Sequence, residues 1–366
     1  MNRIPLYKVH MPDSILGPLK ETLFSGYITM GPRVKEFEKE FGQWIGNNRV
    51  SMVNSCTSAL TLALYQSGVQ KGTNVVSTPM TCVATNTPIK NLQADIRFAD
   101  VHADNGNIDA STIEEQITDD TKAIMVVHWA GVPCDLNAVH AVAKKHGLPV
   151  IEDAAHTLGG FYDGKKIGNH SDFVCFSFQA IKHINTIDGG ALFCKNEEEY
   201  QRSKRLRWFG LDRDEERNAI AGYKTMKEPG FKMNMSDVSA AMGLEQLKYL
   251  DEIVSKHKSN AKILRQELSG VVDCMAVPPK ADPAYWIFTI LVNSEKRKEI
   301  ARKLDEAGID ANTSHMRNDI YEPLSTPLDY PGLNSFSSRM LNIPCGWWVN
   351  PDELNHVIKS IKEAVK

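Results

Sequence analysis

From residue 50 to residue 194, short apolar runs alternate with longer segments of helical period, and this alternation leaves few folds open. The runs fall at 50–53, 74–78, 95–99, 123–127, 148–152 and 173–178, and a second apolar strand follows the Gly189-Gly190 turn and ends at Cys194. Helical segments at 58–65, 83–92 and 136–145 lie between them. A strand followed by a helix and another strand needs a crossover connection, so the pattern predicts a mainly parallel mixed sheet with helices on both faces. Upstream, residues 34–45 read as an amphipathic helix with Phe37, Phe41, Trp44 and Ile45 on one side. Downstream, helices are expected at 235–250, with Ser236 as its cap, and at 247–268. A smaller α+β unit follows, with a strand at 287–292 and helices at 294–307 and 351–365. The expected division is a large domain over 1–248 and a small carboxy-terminal domain over 249–366.

In such a sheet, chemistry gathers where strands end at their carboxyl side. Asn54-Ser55-Cys56-Thr57-Ser58 follows the first strand, and its small polar residues open a helix. They can simply cap it, or its free N–H groups can hold a phosphate. Asp153 and His156 follow the strand at 148–152. They can be a cap and a surface ring, or a carboxylate for a cationic ring nitrogen with an imidazole beside a ring substituent. Ser177 ends the strand at 173–178, and Lys182 stands just beyond it, either as a solvated loop lysine or as a nucleophile in a pocket. Taken together, a phosphate anchor, carboxylate, serine and lysine on one rim match a cofactor with a phosphate, a pyridinium nitrogen and an aldehyde. Pyridoxal 5′-phosphate is that cofactor, and Lys182 is the residue to form its Schiff base.

Composition narrows the partners. A net charge of −3 on 366 residues provides no basic footprint for nucleic acid or anionic membranes. The seven cysteines are scattered without a CxxC pair, which reads as reduced thiols and no metal site in a cytoplasmic protein. No apolar run approaches membrane length. The segment 207–230, holding Arg213, Asp214, Glu215, Glu216 and Arg217, reads as polar and exposed.

Four motifs, NSCTSALTLAL at 54–64, TPMTCVATN at 78–86, VIEDAAHTLGG at 150–160 and FSFQAIKHINTIDGG at 176–190, carry a resemblance that runs over nearly the whole chain. The sequence resembles the DegT/DnrJ/StrS family of pyridoxal-phosphate-dependent nucleotide-sugar aminotransferases, of the aspartate-aminotransferase fold (fold type I). The resemblance implies that Lys182 bonds the cofactor and shuttles the proton, with pyridoxamine phosphate formed midway. It implies that Asp153 pairs with the pyridinium nitrogen and that His156 lies beside the ring hydroxyl. The Cys56 and Thr57 backbone and the Ser177 hydroxyl would hold the phosphate.

The chain departs from the family pattern at several of these positions. Cys56 replaces a usual glycine, Cys82 a frequent aromatic ring, and Lys232 an asparagine that reaches a neighbouring subunit's phosphate. His183, His315 and Arg317 are candidate substrate contacts. The implied reaction passes an amino group from L-glutamate, released as 2-oxoglutarate, to a nucleoside-diphosphate keto sugar, expected to be a 4-keto-6-deoxyhexose. It would run in a homodimer with shared active sites, for amino-sugar and surface-polysaccharide synthesis. Two rivals stay open, a sugar dehydratase on the same cofactor and a non-catalytic binding protein. A dehydratase relative carries histidine in place of the lysine, so Lys182 favours transamination.

Overall fold

The structure is a computed structural model that describes residues 3–215 and 226–366. In chain order its helices and strands are α1 (Leu16–Phe24), α2 (Pro32–Ile45), β1 (Val50–Val53), α3 (Cys56–Gln66), β2 (Asn74–Ser77), α4 (Val83–Asn91), β3 (Asp95–Phe98), β4 (Thr121–Val127), α5 (Leu136–His146) and β5 (Val150–Asp153). They continue with β6 (Phe161–Tyr162), β7 (Lys165–Lys166), β8 (Phe173–Ser177), β9 (Gly190–Cys194), α6 (Glu197–Leu206), α7 (Asp237–Leu247) and α8 (Leu250–Glu267). The last are β10 (Asp273–Cys274), β11 (Ala281–Asp282), β12 (Phe288–Leu291), α9 (Arg297–Glu306), α10 (Pro331–Arg339), β13 (Met340–Ile343) and α11 (Pro351–Ala364).

Among the described residues, seven strands form the main sheet in the order β1-β9-β8-β5-β4-β2-β3. β9 runs antiparallel to both neighbours, and every other pairing is parallel. This is the α/β architecture that the alternation predicts. Period-two side-chain geometry divides the strands between two cores. Val53, Val75, Ala123, Met125, Ile151, Phe173 and Leu192 face one core with α3 and α4. Met52, Val76, Ile124, Val126, Val150, Val174 and Phe193 face the other with α2, α5 and α7. Both faces are buried, which is why these strands read as continuous apolar runs. A third core gathers Ala261 and Leu264 of α8, Ile300 and Leu304 of α9, and Leu354, Val357 and Ile361 of α11 around the sheet β10-β12-β13. Ile4 joins it from the other end of the chain through a bridge to Ile309.

Ser236 caps α7, accepting the Ser239 N–H at 3.0 Å. Its neighbour Asp237 caps a different helix. The Asp237 carboxylate accepts the backbone N–H groups of Gly31, Arg33 and Val34 at 2.7, 3.1 and 3.0 Å, which fixes the start of α2.

Sequence patterning does not separate α10 and β13, because α10 places only Leu333 and Phe336 in the core and β13 is short. The segment read as polar and exposed is partly tied down. Arg213 donates to the Met30 carbonyl at 2.8 Å and lies over the Trp208 ring. Asp214 pairs with Lys35 at 2.7 Å and with Lys204, and these two lysines hold its carboxyl at about 2. Glu216 and Arg217 lie outside the described residues.

This topology brings the ends of β1, β5 and β8 and the start of β9 to one rim, with Gly190 in register with both Val53 and Ser177. Gly190 also lies against the turn that opens α3. A Cβ there would stand 2.5 Å from the Ser55 carbonyl carbon and 2.6 Å from the Cys56 nitrogen. Gly190→Ala is therefore expected to destabilise the chain by about 1–3 kcal/mol and to loosen phosphate binding at that turn. Denaturant unfolding and inorganic-phosphate protection should report both. A variant equal to wild type in both would show that the contact is slack.

Candidate active site

At the rim, a cavity of about 310 Å³ is lined by Cys56, Thr57, Cys82, Asp153, His156, Ser177, Lys182 and His315, with Thr85, Gln179 and Asp188 among the others. Eight of the sequence candidates therefore meet in one place. Ser55, in extended conformation, accepts the Ser58 N–H at 3.0 Å and so opens α3 at Cys56. The first N–H groups of a helix have no acceptor inside it, so the amides of Cys56 and Thr57, both of which line the cavity, are available as donors there. Cys56 is not among the residues with positive φ, so the glycine usual at this position is not required. The Ser177 hydroxyl, at the end of β8, accepts the Gln179 N–H at 3.3 Å.

Asp153, at the end of β5, is 5% exposed. Its Oδ2 accepts from Thr85 Oγ1 at 2.7 Å and its Oδ1 from the Ala155 N–H at 3.1 Å. Burial pushes this carboxyl up, while the Thr85 hydroxyl, the Ala155 amide and the Lys182 charge act in the opposite sense. Thr85 Oγ1 is held in turn by Thr81 Oγ1 at 2.7 Å.

The Lys182 Nζ sits 3.7 Å from the centre of the Trp286 ring. Burial lowers its ammonium to about 8, against an opposing pull from Asp153. An amine with that value has a substantial neutral fraction near neutrality, as a nucleophile needs. Lysine-directed labelling of the cofactor-free chain should give Lys182 a midpoint near pH 8, with reactivity falling as pH drops and the amine protonates. A midpoint at the ordinary lysine value of about 10.4 would contradict this.

His156 is buried, and its Nδ1 has no hydrogen-bond partner. Its ring lies parallel to those of Trp286, at 4.0 Å, and His315, at 5.5 Å. Burial holds both imidazoles neutral, His156 well below its ordinary value and His315 at about 4.

The remaining candidates lie elsewhere. His183 does not line the cavity. It is buried beside His257 of α8, with Nε2 3.1 Å from the Ala284 carbonyl oxygen, so its ring packs between α8 and the segment before β12 and not on the cavity. Arg317 is engaged bidentately by Asp319 at 2.7 and 2.5 Å and also by Asn334. Lys232 donates to Asn234 Oδ1 at 2.5 Å and lies 4.1 Å over Trp208, outside the cavity of its own chain. Sequence reasoning passed over Thr85 and Trp286. Thr85 stands three residues after Cys82 within a motif already singled out, and Trp286 precedes a strand, where core packing is the ordinary reading.

The donor set fits pyridoxal phosphate. A buried carboxylate and the amine of half-buried Lys182 share one cavity, and among the described residues neither makes a salt bridge. A group with a cationic ring nitrogen, an aldehyde carbon and a phosphate would complement Asp153, Lys182 and the α3 turn together. Among the described residues no group of three or more His, Cys, Asp or Glu side chains is placed to hold a metal, all seven cysteines are free, and no helix is long and apolar enough to cross a membrane.

Comparison with known proteins agrees with this geometry. Residues 11–362 match the DegT/DnrJ/EryC1/StrS aminotransferase family. The spore coat polysaccharide biosynthesis protein SpsC of Bacillus subtilis (strain 168) is 33% identical over 362 residues, covering 94% of this chain and 93% of that protein. The sugar aminotransferase CalS13 from Micromonospora echinospora superposes with a TM-score of 0.94 at 33% identity, covering 98% of this chain and 99% of that one. AtS13 from Actinomadura melliaura gives 0.94 at 35% identity, with 99% of each chain covered.

Proposed function

This chain belongs to the DegT/DnrJ/EryC1/StrS aminotransferase family, and on that premise we propose that it moves the amino group of L-glutamate to a nucleoside-diphosphate keto sugar, a 4-keto-6-deoxyhexose. The enzyme is a pyridoxal-phosphate-dependent sugar aminotransferase. The observation that carries the proposal is Lys182, an amine lowered to about 8 that shares a cavity with the unpaired carboxylate of Asp153.

When bound, pyridoxal phosphate supplies an electron sink for negative charge at the carbon bearing the amine. The Cys56 and Thr57 amides and the Ser177 hydroxyl would hold its phosphate, and Asp153 its ring nitrogen. His156 would lie beside its ring hydroxyl, and Cys82 would line its site where an aromatic ring is frequent. Thr85 orients Asp153 by donating to Oδ2. Lys182 Nζ takes the proton from the amine-bearing carbon of the donor and returns one to the acceptor sugar. Its neutral fraction at neutral pH makes both directions accessible.

The donor would leave as 2-oxoglutarate before the keto sugar enters, in ping-pong order. The neutral His315 ring, at the cavity wall, would meet the sugar. Lys232, outside its own cavity, would reach the phosphate in a partner subunit of a cytoplasmic homodimer. Arg317 would contact the substrate only after releasing Asp319, and His183 would act through the backbone it holds. Manufacture of amino sugars for surface polysaccharide is the role this supports.

The half-reaction tests the reading. Glutamate alone, added to the pyridoxal-phosphate-loaded protein, should release one equivalent of 2-oxoglutarate per site and shift the visible absorption to that of pyridoxamine phosphate. A non-catalytic binding protein would release none, and a dehydratase would be told apart by a deoxygenated sugar product.

A further inference from the structure

Trp286 is 2% exposed and stands at the entry to the small domain, just before β12. The backbone around it is fixed from several sides. The Ala284 N–H donates to the Gly131 carbonyl at 2.9 Å, His183 Nε2 lies 3.1 Å from the Ala284 carbonyl oxygen, and His257 Nδ1 lies 2.8 Å from that of Tyr285. Tyr285 has φ +49, a conformation that a bulky residue adopts only when its surroundings impose it. The ring is parallel to Tyr7 at 4.9 Å and to His156 at 4.0 Å. Its Nε1–H donates to the carbonyl of Ile181, the residue before Lys182, at 2.8 Å, and the Lys182 Nζ lies 3.7 Å from the ring centre.

We propose that Trp286 is a positioning residue for Lys182: its π face seats the amine whenever that amine is free, and its N–H fixes the backbone that carries it. The proposal rests on the reading of Lys182 as the reactive amine. An amine that must be free for part of a cycle needs a resting place within reach of the same cavity, and a cation is attracted to an indole face. The other groups facing the amine are Asp153, Cys56, Cys82, His156 and His315, while His183, next in sequence, is turned toward the Ala284 carbonyl. Asp153 favours the ammonium and burial disfavours it, and the neutral imidazoles of His156 and His315 carry no charge to oppose it, so the ring face adds to the support from Asp153. In this arrangement His183 and His257 act indirectly, by holding the Ala284 and Tyr285 carbonyls that lead into Trp286.

The test uses the full-length, cofactor-free chain and follows lysine-directed labelling of the Lys182 peptide by mass spectrometry as a function of pH. Trp286→Leu removes the ring face, so the ammonium loses support. Labelling at pH 7 should rise about fivefold, on the scale of a partly buried cation–π contact, with the midpoint moved to lower pH. Trp286→Phe retains a ring face and should bring the profile back toward wild type. A folded leucine variant with the wild-type profile overturns the proposal.

A second measurement needs no Trp286 variant. Tryptophan emission of the wild type should step at the Lys182 midpoint, and that step should vanish in Lys182→Met. Emission without such a step also overturns it. Neither readout depends on the amino donor or the sugar, so failure to transaminate would count against the proposed function and leave this result standing.

Discussion

Replacing Lys182 with alanine is expected to lower amino transfer by about 10⁴-fold or more and to abolish the visible absorption of the Schiff base, with the folded state retained. Among the described residues, Lys182 is the only lysine lining the cavity, so no other amine can take its place there. Among the described residues its side chain makes no salt bridge, and the buried Asp153 carboxylate, which loses the support of its charge, keeps the hydrogen bonds from Thr85 and Ala155. Lys182→Arg sharpens the test. Arginine keeps the positive charge but stays protonated, so it can neither bond an aldehyde nor carry a proton back and forth at neutral pH. Both variants should be comparably inactive. An active arginine variant would mean that charge alone is what the site requires from this position.

The second large effect is expected at Asp153. Asp153→Asn keeps the shape and an acceptor for Thr85 but removes the negative charge from a site shielded from water. Losing one partner of a buried charge pair costs about 3–5 kcal/mol, so pyridoxal phosphate affinity and turnover together should fall by about 10²–10⁴-fold. The pH dependence follows from the direction of the shift. Burial raises the Asp153 carboxyl above its ordinary value, so as pH falls it is protonated earlier than an exposed aspartate. Cofactor release on the acid side should therefore begin at higher pH than an unperturbed carboxylate would give. Thr85→Val removes a bond that favours the charged form and should move that release higher still. Absorbance during a pH titration with dialysis reports both. A Thr85→Val profile shifted to lower pH would contradict the assignment.

Much of this site is legible in the sequence because strand ends are. Apolar runs mark the strands, and in a parallel sheet their carboxyl ends share a rim, so Asp153, Ser177 and the Cys56-Thr57 turn can be placed together from the sequence alone. Where a residue's role depends on rotation about a junction, the pattern carries no such signal. His183 adjoins Lys182 in sequence yet points toward the segment before β12, because its imidazole is held by the Ala284 carbonyl. Arg317 lies in a polar turn, and nothing local shows that Asp319 two residues on engages it bidentately. Trp286 is invisible for the opposite reason. A tryptophan before a strand looks like core, and only the fold brings its ring beneath an amine more than a hundred residues away in sequence. The antiparallel placement of β9 is likewise set by tertiary pairing, with Gly190 the position at which the backbone of α3 leaves no room for a side chain.

The most direct measurement follows the nitrogen itself. The pyridoxal-phosphate-loaded enzyme is supplied with ¹⁵N-labelled L-glutamate and a nucleoside-diphosphate 4-keto-6-deoxyhexose, and the products are read by mass spectrometry and NMR. An amino sugar carrying ¹⁵N is expected, formed in equal amount with 2-oxoglutarate and lost in Lys182→Ala. A deoxygenated sugar formed without 2-oxoglutarate, or label that never leaves glutamate, would contradict it.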